Sequence, residues 1–591
     1  MDRAYADRAG AGLLAALALL APAPSSAQAA QPSSIFTVNA RLTAGTVWRL
    51  EGPDLRLPYA LNGAAAGVPS LNGTGANADD ANLNFRRHQA VSRAVSGTFE
   101  VQARQRDTRA LLHVRGWRDE ALRSGVRSWG SAANDYAAGQ PLTDAGAPPL
   151  SRFSGVVVGE AWVEQAVDAG AARLLARVGQ QTLDWGANAG FPGGLEVLTP
   201  RDLPAARRAG AAPADARVPV PMAFGRVDIA PALALEGFYQ THFRPNALEM
   251  CGSFNAISDY TVESCDKVMA GLPPADDRTR VHTGAYLKRL PTLKPQAAQF
   301  GAALRWQLPA FGLQLGAYHA RYTSRVVVPS LRKSSRVGPA LIAGDPDGKN
   351  LAFFTEYPDA IRLSAVTFTH RGGAYGELSY RPNLPLLIGS GDAVTPFLNP
   401  LAPALFRQDA DAVAPGGLFH GYERYPMWQA QLGFQRAPTG PSGIGFSAEV
   451  VAKHIGHLPQ QALRRYGRSD VFGTGPIDGV CIASMTVPAL QCSQRGYVTS
   501  DALAWRARVE KRLPPLFEGW TVSAALGVVH DVRGWSGDAL ISEGRRSGSV
   551  SLRAEYRQRY ELDVRWLPVG GGDYNATADR DVLAVSVGVR F

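Results

Sequence analysis

The chain has 591 residues and a formal net charge of +10, with 46% hydrophobic and 19% charged residues, 62 Gly and 41 Pro. That balance is too apolar for a disordered chain and too rich in turn formers for a helical array. The Arg residues are spread over alternating strand positions and no nucleic-acid-binding motif accompanies them, so the basic excess does not indicate nucleic acid. It fits a cationic lumen or rim facing anionic lipid or solutes, or simply the Ala, Arg and Gly usage of a GC-rich genome.

Residues 1–29 read as a secretory leader. Arg3 and Arg8 form a positive start, Ala11 to Ala21 an apolar run, and Ala27-Gln28-Ala29 a small-x-small cleavage site. The apolar run is too short to span a bilayer as a helix, and no later segment is long and apolar enough to do so. Export leaves a soluble periplasmic protein or an outer-membrane barrel.

From there on, segments near ten residues long alternate apolar and polar side chains, as a strand with one greasy and one wet face does. Phe300, Ala302, Leu304, Trp306 and Leu308 alternate with Arg305 and Gln307. Trp428, Ala430, Leu432 and Phe434 alternate with Gln429 and Gln431. Leu503, Trp505, Ala507 and Val509 alternate with Arg506, Arg508 and Glu510, and Leu552, Ala554 and Tyr556 with Arg553 and Glu555. Strands of a soluble sandwich are usually about half as long. About ten residues tilted near 45° cross the hydrocarbon layer, with apolar side chains facing lipid and polar ones lining the lumen.

Tight connections such as Arg371-Gly372-Gly373 alternate with long ones (50–91, 119–155, 187–220, 244–298, 328–359, 383–426, 453–501, 530–547). Periplasmic turns and extracellular loops alternate in this way. The expected fold is all-β: one transmembrane antiparallel β-barrel over 30–591, with about eighteen strands and sixteen the nearest alternative. Lumen-facing candidates by parity are Arg305, Gln307, Gln429, Gln431, Arg506, Arg508, Glu510, Arg553 and Glu555.

Segment 187–220 carries Arg201, Arg207, Arg208 and Arg217 amid Ala and Pro. It either folds inward to narrow the pore or lies on the rim. Two local cysteine pairs, Cys251/Cys265 and Cys481/Cys492, fall in outer loops and read as disulfides in an oxidising compartment. His454 and His457 have no ligand partners at metal spacing. Asp573, Asp579 and Asp581 suit either a calcium site or, preferentially, loop salt bridges. No G-x-S-x-G or other nucleophile motif supports an outer-membrane lipid hydrolase, and no cofactor or resident metal is expected. Val585, Val587, Val589 and the terminal Phe591 form a closing strand with an interfacial aromatic, the form of a signal for the outer-membrane barrel assembly machinery.

Ala176-Arg177-Val178-Gly179-Gln180-Gln181 with Asp184-Trp185-Gly186, then Leu235-Glu236-Gly237-Phe238-Tyr239-Gln240, Glu377-Leu378-Ser379-Tyr380-Arg381-Pro382-Asn383, and Gly570-Gly571-Gly572-Asp573-Tyr574-Asn575 resemble landmarks of domain-of-unknown-function family 1302. An Asn-Pro-Val-Asp-like run expected of that family is replaced by Leu198-Thr199-Pro200-Arg201-Asp202. The resemblance implies an outer-membrane barrel handling lipids or other hydrophobic compounds, with a resistance-nodulation-division-type transporter and a periplasmic carrier as partners. It implies no catalytic residues. The expected function is therefore a channel or export component for hydrophobic or amphiphilic small molecules, with a non-conducting docking barrel as the alternative.

Overall fold

In a computed structural model the protein is described over residues 35–591, except 132–134, 136, 171, 187–189, 271–273, 440–441, 482–487 and 516. The expected leader over 1–29 lies outside the described residues. Eighteen long strands follow in chain order. The first half comprises β1 (Ile35–Arg49), β2 (Ala90–Gln105), β3 (Thr108–Asp119), β4 (Ser154–Ala169), β5 (Ala172–Gln181), β6 (Val220–Ala230), β7 (Leu233–Gln240), β8 (Gln299–Leu308) and β9 (Leu313–Tyr322). The second half comprises β10 (Ile361–His370), β11 (Ala374–Leu387), β12 (Tyr422–Arg436), β13 (Ile444–Ile455), β14 (Asp501–Arg512), β15 (Trp520–Arg533), β16 (Arg546–Tyr556), β17 (Tyr560–Leu567) and β18 (Val582–Arg590).

Each strand pairs antiparallel with its chain neighbours, and β1 pairs with β18 from Arg41↔Arg590 to Arg49↔Val582. The sheet therefore has no free edge. Phe591 seals the seam, donating its N–H to Ala40 O at 2.9 Å. Closure matters because hydrocarbon offers no partner to an unpaired backbone group. It also brings both chain ends to the side of the short turns. Those turns need tight backbone: at Gly373 (φ +102°) an added Cβ would sit 2.0 Å from Gln435 O, so only glycine fits.

The outer wall is apolar and unpartnered. Val163, Val178, Leu432, Leu526 and Val587 are each more than half exposed, which a soluble protein avoids over so wide a belt. Aromatic residues gather at both margins. Tyr380 and Trp428 stack with centroids 4.2 Å apart toward the loop side. Trp520 and Tyr556 lie 5.3 Å apart at the turn side, where Phe434 also meets Phe446. A closed sheet with this girdled outer face is a transmembrane barrel of the bacterial outer membrane.

Several strands run past the alternating segments. β11 and β12 continue to Leu387 and back to Tyr422, with a register shift between Arg381 and Leu384. Pro382, which lacks a donor, sits in that bulge. The extended ends merge with a cap of long loops that has its own apolar core, including Leu287, Phe353, Phe406, Phe419 and Tyr466. Cys251–Cys265 and Cys481–Cys492 are both disulfide-bonded within this cap.

Leu432 lies between the two aromatic margins and is 56% exposed. Leu432→Arg is expected to destabilise the folded barrel by about 2–4 kcal/mol, measured by urea unfolding in lipid vesicles. A neutral effect would mean that this face does not meet hydrocarbon.

Candidate functional site in the barrel lumen

The segment joining β5 to β6, residues 182–219 and described at 182–186 and 190–219, leaves the wall and crosses the interior. Trp185 Nε1 donates to Glu236 Oε2 on β7 at 2.9 Å, and its ring packs 5.0 Å from Phe238 and 5.4 Å from Tyr318. Arg305 on β8 donates to Asp184 O at 2.7 Å. Leu195 N donates to Glu377 Oε1 on β11 at 2.8 Å. Gly193 (φ +111°) lies so close to Gln429 on β12 that an added Cβ would sit 2.5 Å from its Oε1. Phe191 lies 5.6 Å from the Arg506 guanidinium on β14. Since β5 and β14 are nine strands apart in a ring of eighteen, the loop reaches the opposite wall.

The return path follows the other side of the ring. Asp202 pairs with Arg115 on β3, and Arg115 also donates to Asp215 O. Arg41 on β1 donates to Gly210 O at 2.9 Å. Gly210 (φ +73°) packs so tightly that a Cβ would lie 2.5 Å from Thr43 Cγ2 and 2.7 Å from Ser586 Oγ. Short helical turns stiffen the crossing: Gly194–Leu198, Leu203–Ala206 and Pro213–Ala216. Asp202 caps the second turn by accepting from Ala205 N at 2.9 Å. Asp202 belongs to the run that departs from the family landmark, and here it has both a capping and an ion-pairing role.

Apolar burial adds to these polar anchors. Leu183, Trp185, Leu195 and Leu198 bury against Met222, Phe238, Tyr318, Tyr322 and Leu363. This is a hydrophobic core inside a barrel lumen, and it holds the first half of the loop as a domain core holds a helix.

The parity candidates lie on the inner wall. Arg305 pairs with Glu236 at 3.1 Å, and Arg506 with Glu449 at 3.0 Å. Gln429 accepts from Arg381 at 3.1 Å, while Gln431 is buried beside it with its amide unpaired among the described residues. Arg553 pairs with Asp563, Glu555 with Arg590 and Arg508 with Glu510, each at 3.2 Å. Gln307 is exposed near the turn side. On the loop itself, Arg201 pairs with Glu196 at 2.5 Å, Arg217 with Asp184 at 2.8 Å and Arg207 with Glu249 at 2.7 Å. Arg208 stacks 4.5 Å from the Trp117 ring and makes no ion pair among the described residues.

Three docking residues carry no signal that local sequence could rank: Glu236, Glu377 and Glu449. Each is a single acid at an inward position of an alternating strand, and the first two fall within family landmarks. His454 is exposed and sits 2.8 Å from Asp501 on the neighbouring strand. Asp579 is bound by Arg49 at 2.8 Å and Arg580 at 3.2 Å, Asp581 accepts from Val569 N, and Asp573 pairs with Arg495 at 2.9 Å. These three acids form loop salt bridges and loop hydrogen bonds.

Between the crossing loop, the 241–298 loop and the wall formed by β1, β2, β3, β16, β17 and β18 lies a cavity of about 400 Å³. One side is apolar (Val47, Val91, Phe254), and another carries Arg207, Arg208 and Arg565 against Asp119 and Glu249. A guanidinium beside an apolar wall suits a molecule with an anionic head and a greasy body.

A family model described as a protein of unknown function, DUF1302, matches residues 8–591. No curated protein matches the chain. Among solved structures, the outer membrane protein opdK from Pseudomonas aeruginosa is similar at 10% identity, covering 94% of this chain and 98% of that one, with a TM-score of 0.37. OccAB3 of Acinetobacter baumannii is similar at 11% identity, covering 94% and 99%, with a TM-score of 0.36.

Glu377→Ala removes the acceptor of Leu195 N. Leaving that buried donor unpaired should cost about 1–3 kcal/mol, seen as faster proteolytic cleavage within 190–216 while the barrel stays folded. Unchanged cleavage kinetics would show that this contact does not hold the loop.

Proposed function

The chain belongs to the DUF1302 family of proteins of unknown function, and from the geometry of its lumen we propose that it is a loop-gated channel passing small anionic amphiphiles across the outer membrane. The observation that carries this reading is the cavity side lined by Arg208, whose guanidinium stacks on the adjoining Trp117 ring and makes no ion pair among the described residues, with Asp119, Asp202 and Glu249 acting on its charge from further off. Most other lumen arginines have a carboxylate already. A carboxylate or phosphate head would take the donors of Arg208, and its apolar body would lie along Phe254, Val47 and Val91. Passage then requires the 182–219 loop to shift from its wall contacts, because it crosses to β14 and back to β1.

Planar-bilayer recording tests the gate. The wild-type protein should show small, infrequent openings, and deletion of 190–216 should raise the unit conductance several-fold. Arg207→Ala combined with Arg208→Ala should lower the preference for anions, read from the reversal potential in a salt gradient. Silence from both the wild-type and the loop-deleted barrel would overturn the channel reading. It would favour a docking barrel that receives hydrophobic cargo from a periplasmic carrier and a resistance-nodulation-division-type transporter. Comparison of lipids and metabolites in a deletion strain identifies the cargo: an anionic amphiphile should accumulate on one side of the outer membrane, and no change in any such compound counts against transport.

A further inference from the structure

Outside the lumen, two extracellular loops far apart in sequence bring three acids together. Asp80 precedes the short helix Ala81–Asn84 in the 50–89 loop, while Asp259 and Asp277 belong to the 241–298 loop. One carboxylate oxygen from each lies within 4.8 Å of the others. All three side chains are buried, with 0–2% exposure. Asp80 Oδ2, Asp259 Oδ2 and Asp277 Oδ1 each have no hydrogen-bond partner among the described residues.

The surroundings brace the acids without neutralising them. Asn62 Nδ2 donates to Asp277 Oδ2 at 2.7 Å and to Asp80 Oδ1 at 3.4 Å, and Asp277 N donates to Asn62 Oδ1 at 2.9 Å. Arg278 donates to Trp129 O and stacks 4.1 Å from that ring, and Arg280 donates to Ala275 O. Arg580 is taken by Asp79 and Asp579. Burial pushes the Asp80 carboxyl up to about 7, and burial with neighbouring carboxylates pushes Asp259 and Asp277 well above the usual range. Unpaired buried carboxylates are among the costliest groups a fold can hold.

We propose that Asp80, Asp259 and Asp277 bind a calcium ion that staples the 50–89 loop to the 241–298 loop over the barrel mouth. Hard carboxylate oxygens at this mutual spacing suit a cation that takes six to eight oxygen ligands at about 2.3–2.6 Å in irregular geometry. Magnesium demands a smaller, more regular octahedron and keeps more of its water. The same 241–298 loop carries Phe254, which lines the lumen cavity, and the Cys251–Cys265 bridge. An ion at the acid cluster would thus stiffen one wall of that cavity.

The full-length protein in detergent, stripped with EGTA and dialysed, can be titrated with Ca²⁺ by calorimetry and followed by thermal unfolding. One ion per chain should bind, and the Tm should rise by several degrees. Tb³⁺ should replace Ca²⁺ and show emission sensitised by Trp129, whose ring stacks on Arg278, the residue after Asp277. D259N and D277N keep side-chain shape and remove charge, so both should fold and lose the calcium response; D573N, on an exposed loop, should keep it. No binding by wild type at millimolar Ca²⁺ would overturn the site. So would an undiminished response in the D259N/D277N double variant, or stabilisation of that variant without any metal effect in wild type, which would mark a cluster of protonated acids. If the double variant fails to fold, Tb³⁺ emission from wild type that Ca²⁺ does not displace overturns the site equally.

Discussion

A backbone inside hydrocarbon has no solvent to satisfy it, and the rest of this structure follows from that constraint. Strands must pair on both sides, so β1 must find β18, and the sheet must close. Closure divides every strand into a lipid face and a lumen face. An eighteen-strand ring is wide enough to leave an open aqueous interior unless something fills it. Here the filling comes from the chain itself, through the 182–219 segment.

The wall offers that segment complementary charge at defined heights. Glu236, Glu377 and Glu449 sit on β7, β11 and β13, and the loop meets them or their Arg partners with an indole N–H, a backbone N–H and Phe191. On the other side Arg41 and Arg115 hold Gly210 and Asp202. Paired charges in a low-dielectric space return little net stability after desolvation, but each leaves its partner unsatisfied if the loop moves. The contacts therefore fix one loop path more than they strengthen the barrel. Leu183, Leu195 and Leu198 supply the burial that draws the segment inward. The second half has fewer apolar anchors, and beside it the cavity opens.

The strands were legible because lipid and water impose a strict period of two over roughly ten residues. Strand ends were less so: above the membrane Leu384–Leu387 still pair with Tyr422–Tyr425 past the bulge at Pro382, where the alternation breaks. The cysteine pairs were legible by proximity in sequence. The path of the 182–219 loop was not, because an Ala-, Pro- and Arg-rich segment reads alike on a rim or in a lumen. The acids that decide it lie on strands distant in sequence. The acidic trio was hidden for the same reason, since Asp80 meets Asp259 and Asp277 only through the packing of two loops. The acids that the sequence does set close together, Asp573, Asp579 and Asp581, are occupied by Arg495, Arg49, Arg580 and the Val569 N–H.

The most direct test of a loop that spans the lumen is proximity across it. Phe191→Cys and Arg506→Cys, introduced together at positions whose side chains meet across the lumen, should be joined by a short thiol cross-linker in intact outer membranes and give a shifted band on a denaturing gel. Phe191→Cys paired with a lipid-facing cysteine at Leu432 should not. Absence of the first cross-link, with both thiols labelled freely from the outside, would contradict a lumen crossed by residues 182–219.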